Sequence, residues 1–153
     1  MSRHDDLEAI RQLKYRYFRA LDCKDWDALA STLAEDATTS YDNGRYAFEG
    51  RAAILEFLRG ALGSPNMISM HHGHHPEIEL TGDSSARGTW YLEDMVIFRE
   101  ANTVLRGAAF YSDEYVRIDG EWKIRSTGYE RTFEEIELRA APLQIRTRFD
   151  AAG

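Results

Sequence analysis

Along this chain the spacing of apolar residues changes character once. Up to Leu62 they recur mostly every three or four positions; from about residue 71 onward they recur mostly every second position. Period 3.6 indicates helices and period 2 indicates strands, so the pattern predicts helices first and sheet afterwards. Leu7, Ile10, Leu13, Tyr17 and Leu21, with Ala9 and Ala20, mark a first helix. Arg11, Lys14, Arg16 and Arg19 take other angles and are expected in solvent, while Asp5 and Asp6 suit its positive end. Asp25 is a candidate N-cap for a second short helix with Trp26, Leu29, Ala30 and Leu33 as its stripe. Glu35-Asp36-Ala37 reads as a polar break. Thr38–Tyr41 and Tyr46–Glu49 flank an Asn-Gly turn and read as a hairpin. A third helix opens at Gly50-Arg51, carries Ile54, Leu55, Phe57, Leu58 and Leu62, and ends at Gly63-Ser64-Pro65.

Residues 71–80, 86–99, 103–118 and 121–131 read as strands, with turns at Thr81–Ser84 and Asp119-Gly120. Phe133 to Arg139 reads as one helical turn. Leu143, Ile145, Thr147 and Phe149 alternate like a final extended segment. This order predicts an α+β fold, one domain over residues 1–153, with three N-terminal helices closing a cone-shaped, curved antiparallel sheet. A cone has a hollow mouth, and hollows of that kind bind small molecules.

Composition removes several alternatives. The net charge is −7 and no basic block occurs, which argues against a nucleic-acid partner. No apolar run approaches the roughly 18 residues of a membrane span. A single cysteine, Cys23, excludes an internal disulfide and a cysteine-based zinc site. The N-terminus carries no apolar secretory segment, so the cytoplasm is the expected location. Three Trp, eight Tyr and seven Phe supply enough aromatic surface for a core and a lined cavity.

Four features can carry chemistry. Tyr17 and Asp22 close the first helix, about 140° apart in an ideal α-helix, so only a frayed end aims both at one cavity. The bland reading is a core tyrosine and a solvated acid, yet an acid at a helix C-terminus sits on the unfavourable side of the dipole. His71-His72-Gly73-His74-His75 follows. In a strand His71 and His75 share one face, and His72 and His74 the other. Alternate histidines can converge on a metal, but no nearby motif supplies the remaining ligands. Use of one as a general base, or four solvated rings, are the other readings. Asp94 shares strand parity with Trp90, Leu92, Val96 and Phe98, where a carboxylate is costly unless paired or used. The other possibility is a wet sheet edge. Arg131 can hold an oxyanion at a cavity mouth, or form a surface ion pair with Glu130, Glu134 or Glu135.

The markers resemble a known family when taken together. They are Leu13–Asp22 with Asp25-Trp26, Phe48-Glu49-Gly50-Arg51, His71 opening a strand, Gly82-Asp83 with Ala86, and Asp119–Ile124. The chain resembles, over nearly its whole length, the SnoaL-like branch of the nuclear-transport-factor-2-like superfamily. Within it the pattern is most similar to the dehydratase-like group of scytalone dehydratase, bile-acid 7α-dehydratase and hexachlorocyclohexane dehydrochlorinase. The resemblance implies an aspartate–histidine dyad at Asp22 and His71, with Tyr17, Asp94 and, more approximately, Arg131 as further catalytic residues. The histidine run leaves the register open, so His72 or His75 also qualifies. Trp26, Tyr41, Trp90, Phe110 and Tyr129 are the expected substrate-binding aromatics.

The implied activity is elimination of water from a small apolar hydroxy-ketone or steroid- or polyketide-like ring, without metal or organic cofactor. In that scheme Asp94 assists the leaving hydroxyl if its apolar surroundings keep it protonated. Isomerases and cyclases of the superfamily, and non-catalytic binding modules, share the fold and remain alternatives. The expected partners are a small apolar or aromatic substrate and further copies of the chain, as dimer or trimer. Of the acids, Asp22 and Asp94 are the two expected inside.

Overall fold

A computed structural model describes residues 2–142 and 144–150. Helix α1 (Arg3–Cys23) starts on a capping box, in which the Ser2 hydroxyl accepts the Asp5 N–H and the Asp5 carboxylate accepts the Ser2 N–H. It stops at Lys24, which adopts the left-handed conformation at φ 56°. Helix α2 (Trp26–Thr32) is capped by Asp25, whose side chain accepts the Ala28 N–H at 3.1 Å. Strand β1 (Leu33–Tyr41) begins immediately, so Glu35-Asp36-Ala37 is strand and not a break. Glu35 and Asp36 merely face solvent there, and Asp36 accepts a hydrogen bond from Arg125 at 3.3 Å. Strand β2 (Tyr46–Glu49) and helix α3 (Arg51–Leu62) follow.

The second half is all strand: β3 (Met67–Gly82), β4 (Ser85–Phe98), β5 (Thr103–Ile118) and β6 (Glu121–Leu138). The sheet order is β2-β1-β6-β5-β4-β3. Every neighbouring pair is antiparallel except β1 and β6, which run parallel, so the sheet is mixed. It curves without closing, and the three helices cover its concave face. This is the α+β architecture that the change of period predicts.

Residues 133–138 do not form a helical turn. They continue β6 against β5, with Ile136 opposite Leu105 and Leu138 opposite Thr103. Phe133, Ile136 and Leu138 are all exposed, so their spacing does not report a buried face, and the regular pairing with β5 decides the conformation. Of the expected final strand, Leu143 lies outside the described residues, and Ile145, Thr147 and Phe149 pair with no strand.

The core lies between α1 and the concave face. Ile10, Leu13, Tyr17, Phe18 and Leu21 pack on Leu92, Ala109, Tyr111 and Tyr115. Lys14 belongs to this buried face, not to solvent, since it sits one turn from both Ile10 and Phe18. Its ammonium is fully buried, 2.7 Å from the equally buried Asp113. The Asp113 carboxylate also accepts the hydroxyls of Tyr115 at 2.7 Å and Thr127 at 2.6 Å, and Tyr115 in turn accepts the Trp90 indole N–H at 2.9 Å. Asp6 is buried as well, accepting from Arg117 and Trp122, both at 2.9 Å. Two acids beyond those expected inside are therefore buried, each held by partners from distant elements. Among the described residues no helix is long and apolar enough to cross a membrane.

Candidate active site

A cavity of about 320 Å³ opens between α1, α3 and the concave face. Tyr17 and Leu21 of α1, Phe57 and Leu58 of α3 and Val96, Leu105 and Tyr111 of the sheet supply much of its wall. Among the polar side chains that line it are His71, Asp94, Arg131 with Tyr129, and Tyr41, from four different strands.

Asp22 stands behind His71. Its Oδ1 is 2.7 Å from His71 Nδ1 and accepts the Ser69 hydroxyl at 2.8 Å, while its Oδ2 accepts the His71 backbone N–H at 2.8 Å. Three contacts fix the carboxylate. The carboxylate fixes the ring: Nδ1 carries the proton toward Asp22 and leaves the Nε2 lone pair free. Phe18 lies parallel to the imidazole at 6.4 Å and 9°. That stacking needs Gly73, because a Cβ there falls 2.3 Å from Phe18 Cε2. The Asp22 side chain reaches His71 because Asp22 lies in the last turn of α1, where the helix runs onto the edge of β3. The 140° separation from Tyr17 is thus bridged by the sheet coming to meet the helix, not by fraying.

Asp94 lies directly opposite His71 in the sheet register. It takes a two-pronged contact from Arg131, Nη1 to Oδ1 at 2.5 Å and Nη2 to Oδ2 at 2.8 Å. The surface pairing expected as an alternative for Arg131 is minor, with Glu134 at 3.6 Å from Nε. Both Asp94 oxygens accept from Arg131. The surroundings of Asp94 on its own face are apolar, but Arg131 arrives from β6. Burial opposes the Arg131 charge, but the hydrogen bonds and charge of Asp94 outweigh it and push its pKa up. Arg131 can cross because Gly107, opposite Asp94, has no side chain; a Cβ there falls 2.7 Å from Nη1.

The cavity phenols are neutral donors. Tyr17 and Tyr41 share a hydrogen bond of 2.8 Å, in which one hydroxyl proton is used and the other is free for a ligand. Burial raises the pKa of both, and of Tyr111 and Tyr129.

Of the expected site residues, the structure brings together Tyr17, Asp22, His71, Asp94, Arg131, Tyr41 and Tyr129. Three aromatics lie elsewhere. Trp90 has the right parity but is sealed in the core, bonded to Tyr115. Phe110 faces the opposite side, 41% exposed and packed on Tyr91 at 4.5 Å. Trp26 flanks Arg59 in a basic groove outside the cavity, at the end of α1. Tyr111 takes the position expected for Phe110, and the alternation Ala109, Tyr111, Asp113, Tyr115 carried that signal. Nothing local marks Phe57 or Leu105 as cavity wall. Of the other histidines, His72 and His74 face away from the cavity, and a bulge with His75 at φ 48° breaks the register. His71 is the histidine on the cavity.

The model of the SnoaL-like domain family matches residues 2–128. Among solved structures, a protein provisionally described as a scytalone dehydratase from Novosphingobium aromaticivorans is 23% identical at TM-score 0.79, covering 94% of this chain and 95% of its own. A hexachlorocyclohexane dehydrochlorinase, LinA-type3 from Novosphingobium barchaimii, is 21% identical at TM-score 0.81, covering 94% and 97%. An NTF2-like protein of unknown function from Pseudomonas putida is 19% identical at TM-score 0.69, covering 85% and 88%. At these identities the likeness establishes the shared fold.

Proposed function

The chain belongs to the SnoaL-like domain family, and on that premise we propose that it is a cofactor-independent lyase removing water from a small, mostly apolar hydroxy-ketone or related ring. The observation that carries this reading is the Asp22–His71 contact of 2.7 Å, set beside an aromatic cavity. His71 Nε2 takes the proton α to the substrate carbonyl as that C–H bond breaks. Asp22 holds the other ring nitrogen and balances the imidazolium charge. The free hydroxyl of the Tyr17–Tyr41 pair and the guanidinium of Arg131 face the developing enolate. As the C–C double bond forms, the C–O bond breaks and the proton on Nε2 passes to the departing oxygen, giving water. Asp94 holds Arg131 in place and acts as a positioning residue.

A second reading has one observation in its favour. With Asp94 occupied by Arg131, His71 is the only proton carrier of the dyad that faces the cavity, and the same ring can return its proton to another carbon. That is isomerisation or cyclisation in the same pocket. A hydroxy-ketone screen followed by mass spectrometry separates the two, because elimination loses the mass of one water and isomerisation keeps it. On any substrate found, His71→Ala is expected to lower kcat/KM by about 10²–10⁴-fold with the circular dichroism unchanged. Normal turnover by that variant overturns both readings, since each needs the His71 ring; binding of hydroxy-ketones with no conversion by the wild type would instead favour a binding module. Assembly as a homo-oligomer, dimer or trimer, belongs to the same reading, supported by the exposed Phe133, Ile136 and Leu138 on β6; sedimentation would test it.

A further inference from the structure

We propose that His72, His74 and Glu93, on the convex face of the sheet, bind one divalent late first-row transition-metal ion such as Zn²⁺. The two histidines flank Gly73 and project from the same side of β3, with ring centroids 5.7 Å apart. Glu93 lies directly opposite His72 in β4. Its Oε2 is 3.3 Å from His74 Nε2, and one donor atom from each of the three residues lies within 4.8 Å of the others. Zinc holds nitrogen and oxygen ligands at about 2.0–2.2 Å, which spaces tetrahedral donors roughly 3.4 Å apart. The three side chains need only small rotations to meet that spacing, and they are exposed enough to make them. Two imidazoles and one carboxylate form a donor set suited to zinc, copper or nickel and poorly suited to calcium or magnesium. Glu93 has no lysine or arginine partner among the described residues; Arg106 on this face is engaged by Glu135 and Glu137, and Arg87 by Glu79. A water completes the coordination.

The site is separate from the cavity. Residues 72, 74 and 93 point outward, whereas His71 and Asp94, their immediate neighbours, point inward. An ion there clips β3 to β4 one position from the cross-strand pair that carries the proposed base and the Arg131 anchor. Binding only to the folded chain, it raises thermal stability.

The test is calorimetric titration of chelator-treated full-length protein with Zn²⁺, with Co²⁺ absorption as a second readout. The expected result is one ion per chain, a cobalt spectrum of tetrahedral type, and an upward shift of the melting temperature. Glu93→Gln is expected to weaken binding about tenfold or more, and the His72→Ala/His74→Ala pair to abolish binding and the shift. The metal-free double variant is expected to keep the wild-type melting temperature, since both rings are on the surface. His71→Ala is expected to bind as the wild type does. Absence of stoichiometric binding, binding that survives the double variant, or binding that disappears with His71→Ala overturns the proposal. None of these outcomes bears on whether Asp22 and His71 catalyse elimination.

Discussion

Single residues decide whether the cavity has any polar chemistry at all. Asp22 is a local signal, an acid on the wrong end of a helix dipole, and the histidine run is legible too, although His71 lies inside β3, which starts at Met67, and does not open it. The Asp94–Arg131 contact is not legible, because the two residues come from non-adjacent strands and meet only across Gly107. Strand parity correctly placed Asp94 on an apolar face, but the guanidinium that engages both its oxygens is a tertiary fact. Gly107→Ala is therefore expected to be costly. The new Cβ would lie 2.7 Å from Arg131 Nη1 and 2.8 Å from the Phe133 carbonyl oxygen, and the backbone oxygen has little room to move. A loss of about 1–3 kcal/mol in urea unfolding is expected; an unchanged midpoint would mean that Arg131 reaches Asp94 by a route that tolerates a methyl group.

At the scale of elements, α1 is anchored to the sheet by more than apolar packing. Lys14 reaches Asp113 on β5 and Thr127 on β6, and its ammonium lies 3.8 Å from the Tyr111 ring centroid. Burial lowers the Lys14 pKa, with Asp113 partly restoring it. Lys14→Met keeps the stem and removes the charge, leaving Asp113 buried without its cation. A loss of about 3–5 kcal/mol is expected. Lys14→Met/Asp113→Asn is expected to lose less than the sum of its parts, as a double-mutant cycle in urea would measure. Additive losses would mean the pair is not coupled. Sequence alone sets Lys14 with the solvated cations of α1, yet it is buried one turn from Ile10. The partners that reverse that expectation are 99 and 113 positions away. The extension of β6 through Leu138 has a similar origin: pairing with β5 outweighs a misleading local spacing.

For the whole molecule, the aromatic content sets the response to alkali. Burial raises the pKa of Tyr17, Tyr41, Tyr111 and Tyr115 above the usual 10.0. The unfolded chain therefore releases these protons above about pH 10 while the folded chain keeps them. Stability contributed by each phenol is present below that pH and is lost as pH rises, by about 1.4 kcal/mol per pH unit. Lys14 works the other way, but its effect is complete once free lysines titrate near 10.5. The tyrosinate absorbance of these four buried phenols is expected to appear together with loss of ellipticity in one cooperative transition above pH 10; complete tyrosinate formation before unfolding would show that they are open to water. The sequence by itself determined most of the order of helices and strands and the α+β class, since periodicity, turn chemistry and helix ends are properties of neighbours along the chain. Tertiary structure alone decided which aromatics line the cavity, which acids are buried, that Arg131 occupies Asp94, and that Glu93 joins two histidines. Each of those depends on strand register, and register is set by packing between residues far apart in sequence.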